Sequence, residues 1–239
     1  MLRSINQIHG AKLGAVDGEI GRVKDVYFDD LKWVVRYLVT DTGAWMTGGL
    51  VLIAPHAIGA IGELCDEQML LVNRTRNQIK SCPPADAHKP LSRQYEEEYY
   101  RYYGWPVYWQ GDGLWGMSDF PILSQRSESV PGERGGRAIM RANDGDAHLR
   151  SARVVTGYGI QATDKLVGHL SDFLVDDKTW AIRHLVVDVG SWFARQKVQI
   201  STAEIERISW DQSKVFVHLT REEVKGAPAY EVFEPRIFA

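Results

Sequence analysis

The chain has 239 residues, 44% of them hydrophobic and 25% charged, which is enough apolar material for one or two cores and excludes disorder throughout. A formal net charge of −3 at pH 7 excludes the clustered basic surface needed to wrap a nucleic-acid backbone. The longest apolar stretch, Leu50 to Ile61, is broken by Pro55 and His56 and falls short of the roughly 20 residues that cross a bilayer as a helix.

In chain order, Asp17-Gly18 is a two-residue hairpin signal, and Ile20 to Phe28 reads as a strand. Asp29-Asp30-Leu31-Lys32 has turn chemistry, and Trp33 to Thr40 returns as a strand rich in β-branched and aromatic residues. Further strands are expected at Leu50 to Ile53 and at Met69 to Val72. Thr75-x-x-Gln78 is a capping box that opens a short helix with Ile79 facing inward. The runs Trp33-Val34-Val35 and Leu185-Val186-Val187 are apolar without alternation, so the side on which Arg36 and Arg183 sit is left open.

Residues 84–150 break this rhythm. Tyr99, Tyr100, Tyr102, Tyr103, Trp105, Tyr108, Trp109 and Trp115 crowd the first part, and Ser118 to Asp146 turns rich in Ser, Gly and charge. The expectation is an irregular linker whose rings pack across the flanking domains or form a surface for a partner.

The second half then repeats the first. Gly21, Asp25, Asp29-Asp30, Trp33, Arg36, Leu38-Val39, Asp41, Gly43 and Trp45 recur at one constant offset as Gly168, Asp172, Asp176-Asp177, Trp180, Arg183, Leu185-Val186, Asp188, Gly190 and Trp192. Thr163-Asp164-Lys165 answers the hairpin signal, and Thr220-x-x-Glu223 answers the capping box with Val224 inward. Strands are expected at Gly168 to Val175, Trp180 to Val187, Val198 to Ile200 and Val215 to Leu219. The division is residues 1–83, a linker 84–150, residues 151–228 and a tail 229–239. Two domain-sized units of short strands predict a mainly β chain of two small barrels, each closed by a short C-terminal helix.

The Gly-x-x-x-Asp strand, Asp-Asp turn, Trp-x-x-Arg-x-Leu-Val strand and following Asp-x-Gly resemble the PRC-barrel family in both units. That family is named for the cytoplasmic domain of the photosynthetic reaction centre H subunit and includes the C-terminal domain of the ribosome-maturation factor RimM. The resemblance implies a docking and scaffolding module with no shared catalytic motif. It makes Asp25, Trp33, Arg36, Asp41, Trp45, Asp172, Trp180, Arg183, Asp188 and Trp192 a structural signature.

Sites for chemistry are sparse. His9, His56, His88, His148, His169, His184 and His218 fall in no HxH, HExxH or Cys/His cluster, and most are expected at the surface or partly packed. The aspartates suit turns better than a cation shell, with Arg36 and Arg183 as their ion-pair partners. Cys65 and Cys82 form no CxxC pair and read as small buried hydrophobes in a reducing compartment. Residues Met1 to Asn6 lack the order of a secretory signal, so the cytoplasm is the expected location. The reading is a non-enzymatic adaptor or assembly protein, without cofactor, metal or nucleic acid, that binds a protein partner. It is expected to be a monomer with a pseudo-two-fold pair of barrels or a homodimer. The alternatives are an H-subunit-like accessory of a membrane electron-transfer complex, or a small-molecule or metal sensor using the cleft between units.

Overall fold

The computed structural model describes residues 1–43, 49–58, 69–83, 91–121, 148–190 and 196–231. The chain is mainly β, and its strands form two sheets. From the first half come β1 (Leu2–Ser4), α1 (Ile5–Ile8), β2 (Lys12–Ala15), β3 (Gly18–Asp29), β4 (Val34–Asp41), β5 (Leu50–Ile53), β6 (Met69–Val72) and α2 (Arg76–Lys80). After α3 (Arg93–Tyr103) follow β7 (Leu149–Ser151), α4 (Ala152–Val155), β8 (Gly159–Gln161), β9 (Leu166–Asp176), β10 (Ile182–Asp188), β11 (Lys197–Ser201), β12 (Ile205–Ser209), β13 (Lys214–Val217) and α5 (Arg221–Gly226).

The first sheet runs β5-β4-β3-β2-β6 and the second β11-β10-β9-β8-β13-β12. Among the described residues neither closes on itself: β5 and β6 are the ends of the first path, β11 and β12 of the second. The strands expected at 50–53 and 69–72 form at those residues, and the longer ones match within a few positions. Each opening hairpin is tied to its closing helix, because Asp17 and Asp164 at the turns accept from the first helical amides, Arg76 N and Arg221 N, at 2.7 and 2.8 Å. Both capping boxes form, and Ile79 and Val224 are buried beneath them. The signature glycine has a steric reason: a Cβ on Gly21 would lie 1.9 Å from the Asp41 carbonyl oxygen, and one on Gly168 2.2 Å from that of Asp188.

The two sheets exchange strands. β1 pairs with β9 and β7 pairs with β3, so the first segment of each half completes the sheet of the other. Ser4 caps α1, its hydroxyl accepting from Gln7 N and donating to Asp172. Ser151 caps α4 in the same way, accepting from Val154 N and donating to Asp25. The second oxygen of each aspartate accepts two amides: Asp172 from Asn6 and Phe173, Asp25 from Arg153 and Val26. At the centre Val34 bridges Ala181, with Val35 N donating to Trp180 O at 2.9 Å and Ile182 N to Trp33 O at 2.6 Å. Corresponding residues therefore meet about an approximate two-fold axis.

Trp33 and Trp180 reach this junction with φ of 53° and 60°, a left-handed conformation that costs a bulky side chain about 1–3 kcal/mol. The Asp29 carboxylate accepts from Leu31 N and Lys32 N, and Asp176 from Lys178 N and Thr179 N, which fixes each turn and aims the tryptophan carbonyl across the axis.

The sequence expectation of an irregular linker is corrected by α3. Ser92 caps it, Gly104 ends it at φ 69°, and Glu96, Tyr99, Tyr100 and Tyr103 form its buried stripe at helical spacing. The helix lies on the first sheet, which explains why Val34 to Thr40 of β4 are buried on both faces and show no alternation. In β10, Arg183 is exposed and His184 half-buried, while Leu185 to Val187 are buried.

Candidate functional site

The first sheet carries the most polar chemistry in the described residues, between β3, β4 and the aromatic segment that follows α3. Arg36 is fully buried. Its Nη2 donates to Asp29 Oδ2 at 3.0 Å and its Nη1 to the Leu114 carbonyl at 2.7 Å, while the guanidinium lies 3.8 Å from the Tyr108 ring centre. Glu96, also buried, accepts from the hydroxyls of Tyr37 and Tyr108 at 2.9 and 2.8 Å and from Arg93 Nη1 at 3.1 Å. Burial raises the Glu96 carboxyl above its ordinary range, and Arg93 with the two tyrosines opposes that rise.

His56 sits beside this network in the short 3-10 turn after β5, stacked on Trp105 with ring centres 5.1 Å apart and met edge-on by Trp115 at 4.8 Å. Among the described residues neither ring nitrogen has a hydrogen-bond partner, and burial, with Arg36 and Arg74 nearby, lowers its pKa to about 3. The imidazole is neutral at physiological pH. Tyr99 anchors α3 by donating to Leu52 O at 2.9 Å and accepting from Ala54 N at 3.2 Å, which satisfies backbone groups on the outer edge of β5. Trp115 Nε1 donates to Thr179 O at 2.8 Å, tying the aromatic segment to the second half of the chain.

A cleft of about 420 Å³ opens beside Tyr108, lined among others by Asp29, Lys32, Arg93, Trp109 and His148. Its wall draws on β3, the following turn, α3 and the residues before β7. Both Asp29 oxygens are engaged, and Lys32 Nζ donates to Gly113 O at 2.7 Å, so these groups hold the wall in shape. The Arg93 guanidinium lies 4.2 Å from the Trp109 ring centre, forming a cationic and aromatic platform on one side. That platform has the chemistry to receive a planar or anionic small molecule.

The sequence-predicted residues separate into distinct groups. Asp25 and Asp172 receive the exchanged serines, while Asp41 and Asp188 accept from Gly43 N and Gly190 N at the strand exits. Arg36 makes the expected carboxylate pair; Arg183 is exposed, and the structure does not bring it to the equivalent Asp176. Trp45, Trp192, Cys65 and His88 lie outside the described residues, and Cys82 is buried with its thiol pKa raised by burial.

Of the two expectations for the aromatic segment, packing within the chain describes most of its members. Tyr99, Tyr100, Tyr103, Trp105, Tyr108 and Trp115 are buried in the chain's own core, and Tyr102 and Trp109 are half-buried. Rings this large leave water for the nearest apolar face, here the first sheet. Sequence reasoning missed Glu96 and His56 as the polar centre. The stripe of Glu96, Tyr99, Tyr100 and Tyr103 was the available signal for the first; nothing local marks the second.

Among the described residues no group of three or more His, Cys, Asp or Glu side chains converges as a metal site, and no helix is long and apolar enough to cross a membrane. No family model matches the chain, and no curated protein matches it.

Proposed function

We propose that this chain is a non-catalytic assembly protein built of two PRC-barrel-type units, residues 1–83 and 151–228, that act in the cytoplasm as an adaptor for a protein partner. The observation that carries the reading is the exchange at Asp25 and Asp172. Each repeat uses its signature aspartate to hold a strand and helix start from outside its own sheet, and this docking of segments supports the reading. Leu31, which lines the cleft, and Met117, whose sulfur lies near Gly111 of its lining, are 67% and 90% exposed and are apolar groups available to a partner.

The test is affinity capture from native lysate with the intact chain beside a Leu31→Glu, Met117→Glu variant, with soluble and membrane fractions scored separately by mass spectrometry. A partner held by the intact chain and lost by the variant supports the adaptor; capture from the membrane fraction identifies the assembly as a membrane complex.

A second reading places the function in the cleft itself, favoured by the Arg93–Trp109 platform and by walls drawn from both halves of the chain. It requires a ligand-dependent thermal shift in a metabolite panel that Trp109→Ala abolishes. Absence of a partner in both fractions together with such a shift would transfer the function to ligand sensing.

A further inference from the structure

The exchanged segments are the same peptide. Leu2-Arg3-Ser4 of β1 and Leu149-Arg150-Ser151 of β7 are identical, and the sockets they enter repeat as Asp25, Asp29 and Asp30 against Asp172, Asp176 and Asp177. The serine and main-chain contacts are duplicated, while Arg150 Nε also donates to Asp30 and Asp177 accepts from the Met1 ammonium. In each arm the serine donates to the buried aspartate and the amide two residues later donates to its other oxygen; the residue three before the serine gives its carbonyl to Asp177 N or Asp30 N at 2.9 and 3.0 Å. Nothing in this chemistry distinguishes an arm of the same chain from that of another copy.

We propose that two copies of this chain associate by trading halves, the second repeat of each seating its arm in the first repeat of the other and receiving that repeat's arm in return. The partner is a second copy because its arm and socket are already complementary, and the trade leaves no arm or socket open, so assembly closes at two. The contest is set by concentration: the covalent connection between halves raises the effective concentration of the internal partner, so dilute chains close on themselves and concentrated folding chains cross over. This inference stands apart from the adaptor reading, since failure to dimerise leaves capture of an external partner untouched.

Arg3 and Val175 are directly paired across β1 and β9 and report the exchange. In a background with Cys65 and Cys82 replaced by alanine, an Arg3→Cys chain and a Val175→Cys chain are denatured, mixed, refolded together and oxidised. A disulfide-linked pair is expected, its yield rising roughly in proportion to refolding concentration, as a bimolecular event competing with a unimolecular one requires. The chain carrying both substitutions, refolded dilute, is the control that the geometry closes a disulfide within one molecule.

Closure of that internal bond with no intermolecular pair at any concentration overturns the proposal. Should the cysteine variants not fold, the unmodified chain is refolded at low and high concentration and its mass measured by light scattering: monomer throughout overturns the proposal, and a dimer appearing only from the concentrated refolding supports it. A dimer that forms equally at both concentrations, or that forms without the Arg3–Val175 disulfide in chains that do fold, uses another face and overturns it as well.

Discussion

His56 carries two unpartnered ring nitrogens inside a shell of Trp105, Trp115 and Tyr100, and the consequence is a defined acid sensitivity. Its folded pKa of about 3 lies below the ordinary 6.5 of the unfolded chain, so the unfolded state takes up a proton first as pH falls. The stability this residue contributes is whole above 6.5 and drains by about 1.4 kcal/mol per pH unit down to its folded value. Glu96 has the opposite sign: its raised carboxyl binds a proton more tightly when folded, so its protonation on acidification stabilises. Denaturant unfolding at several pH values between about 7 and 4 should therefore show a less acid-labile protein for His56→Phe; an unchanged pH slope would overturn the assignment. Arg36 and Arg183 offer a paired test at equivalent repeat positions. Arg36→Leu leaves Asp29 buried without its cation and should cost about 3–5 kcal/mol. Arg183→Leu, on an exposed position, should stay within about 0.5 kcal/mol. Equal losses in denaturant titrations would show that the two environments do not differ as described.

Helix α3 does for the first sheet what a further strand would do, and it does so through one side chain. The Tyr99 hydroxyl satisfies Leu52 O and Ala54 N on the free edge of β5, whereas the edge of β11 is met by main chain, through Gln199 N to Pro228 O and Tyr230 N to Lys197 O. Tyr99→Phe keeps the ring packing and strands two buried backbone groups, an expected loss of about 1–3 kcal/mol. Amide hydrogen exchange at Ala54 should quicken in that variant; unchanged protection would mean the edge is satisfied otherwise. The helix was readable in part from Ser92, Gly104 and the spacing of its buried stripe. Adjacent Glu97 and Glu98 and the ring-rich sequence hid it, because large amphipathic rings serve a loop, an interface or a helix equally well.

Strand exchange makes the two halves mutually dependent, since each sheet is finished by a segment that the other half supplies. Calorimetry should record one cooperative unfolding transition for the native chain, and Ser4→Ala combined with Ser151→Ala, which breaks both sockets, should split or broaden it. Two transitions already present in the native chain would contradict this coupling. By itself the sequence determined the repeat, most of the strands and both capping boxes, because these rest on local periodicity, turn chemistry and residues recurring at one offset. Even the identity of the two Leu-Arg-Ser arms was legible there, though not what they do. Only the tertiary structure decided that the arms cross over, that Arg36 is buried while Arg183 is exposed, and that the aromatic segment covers one sheet. Those outcomes depend on which apolar and polar surfaces meet across a long separation in sequence, and two nearly identical strands acquire different environments only when a third element packs on one of them.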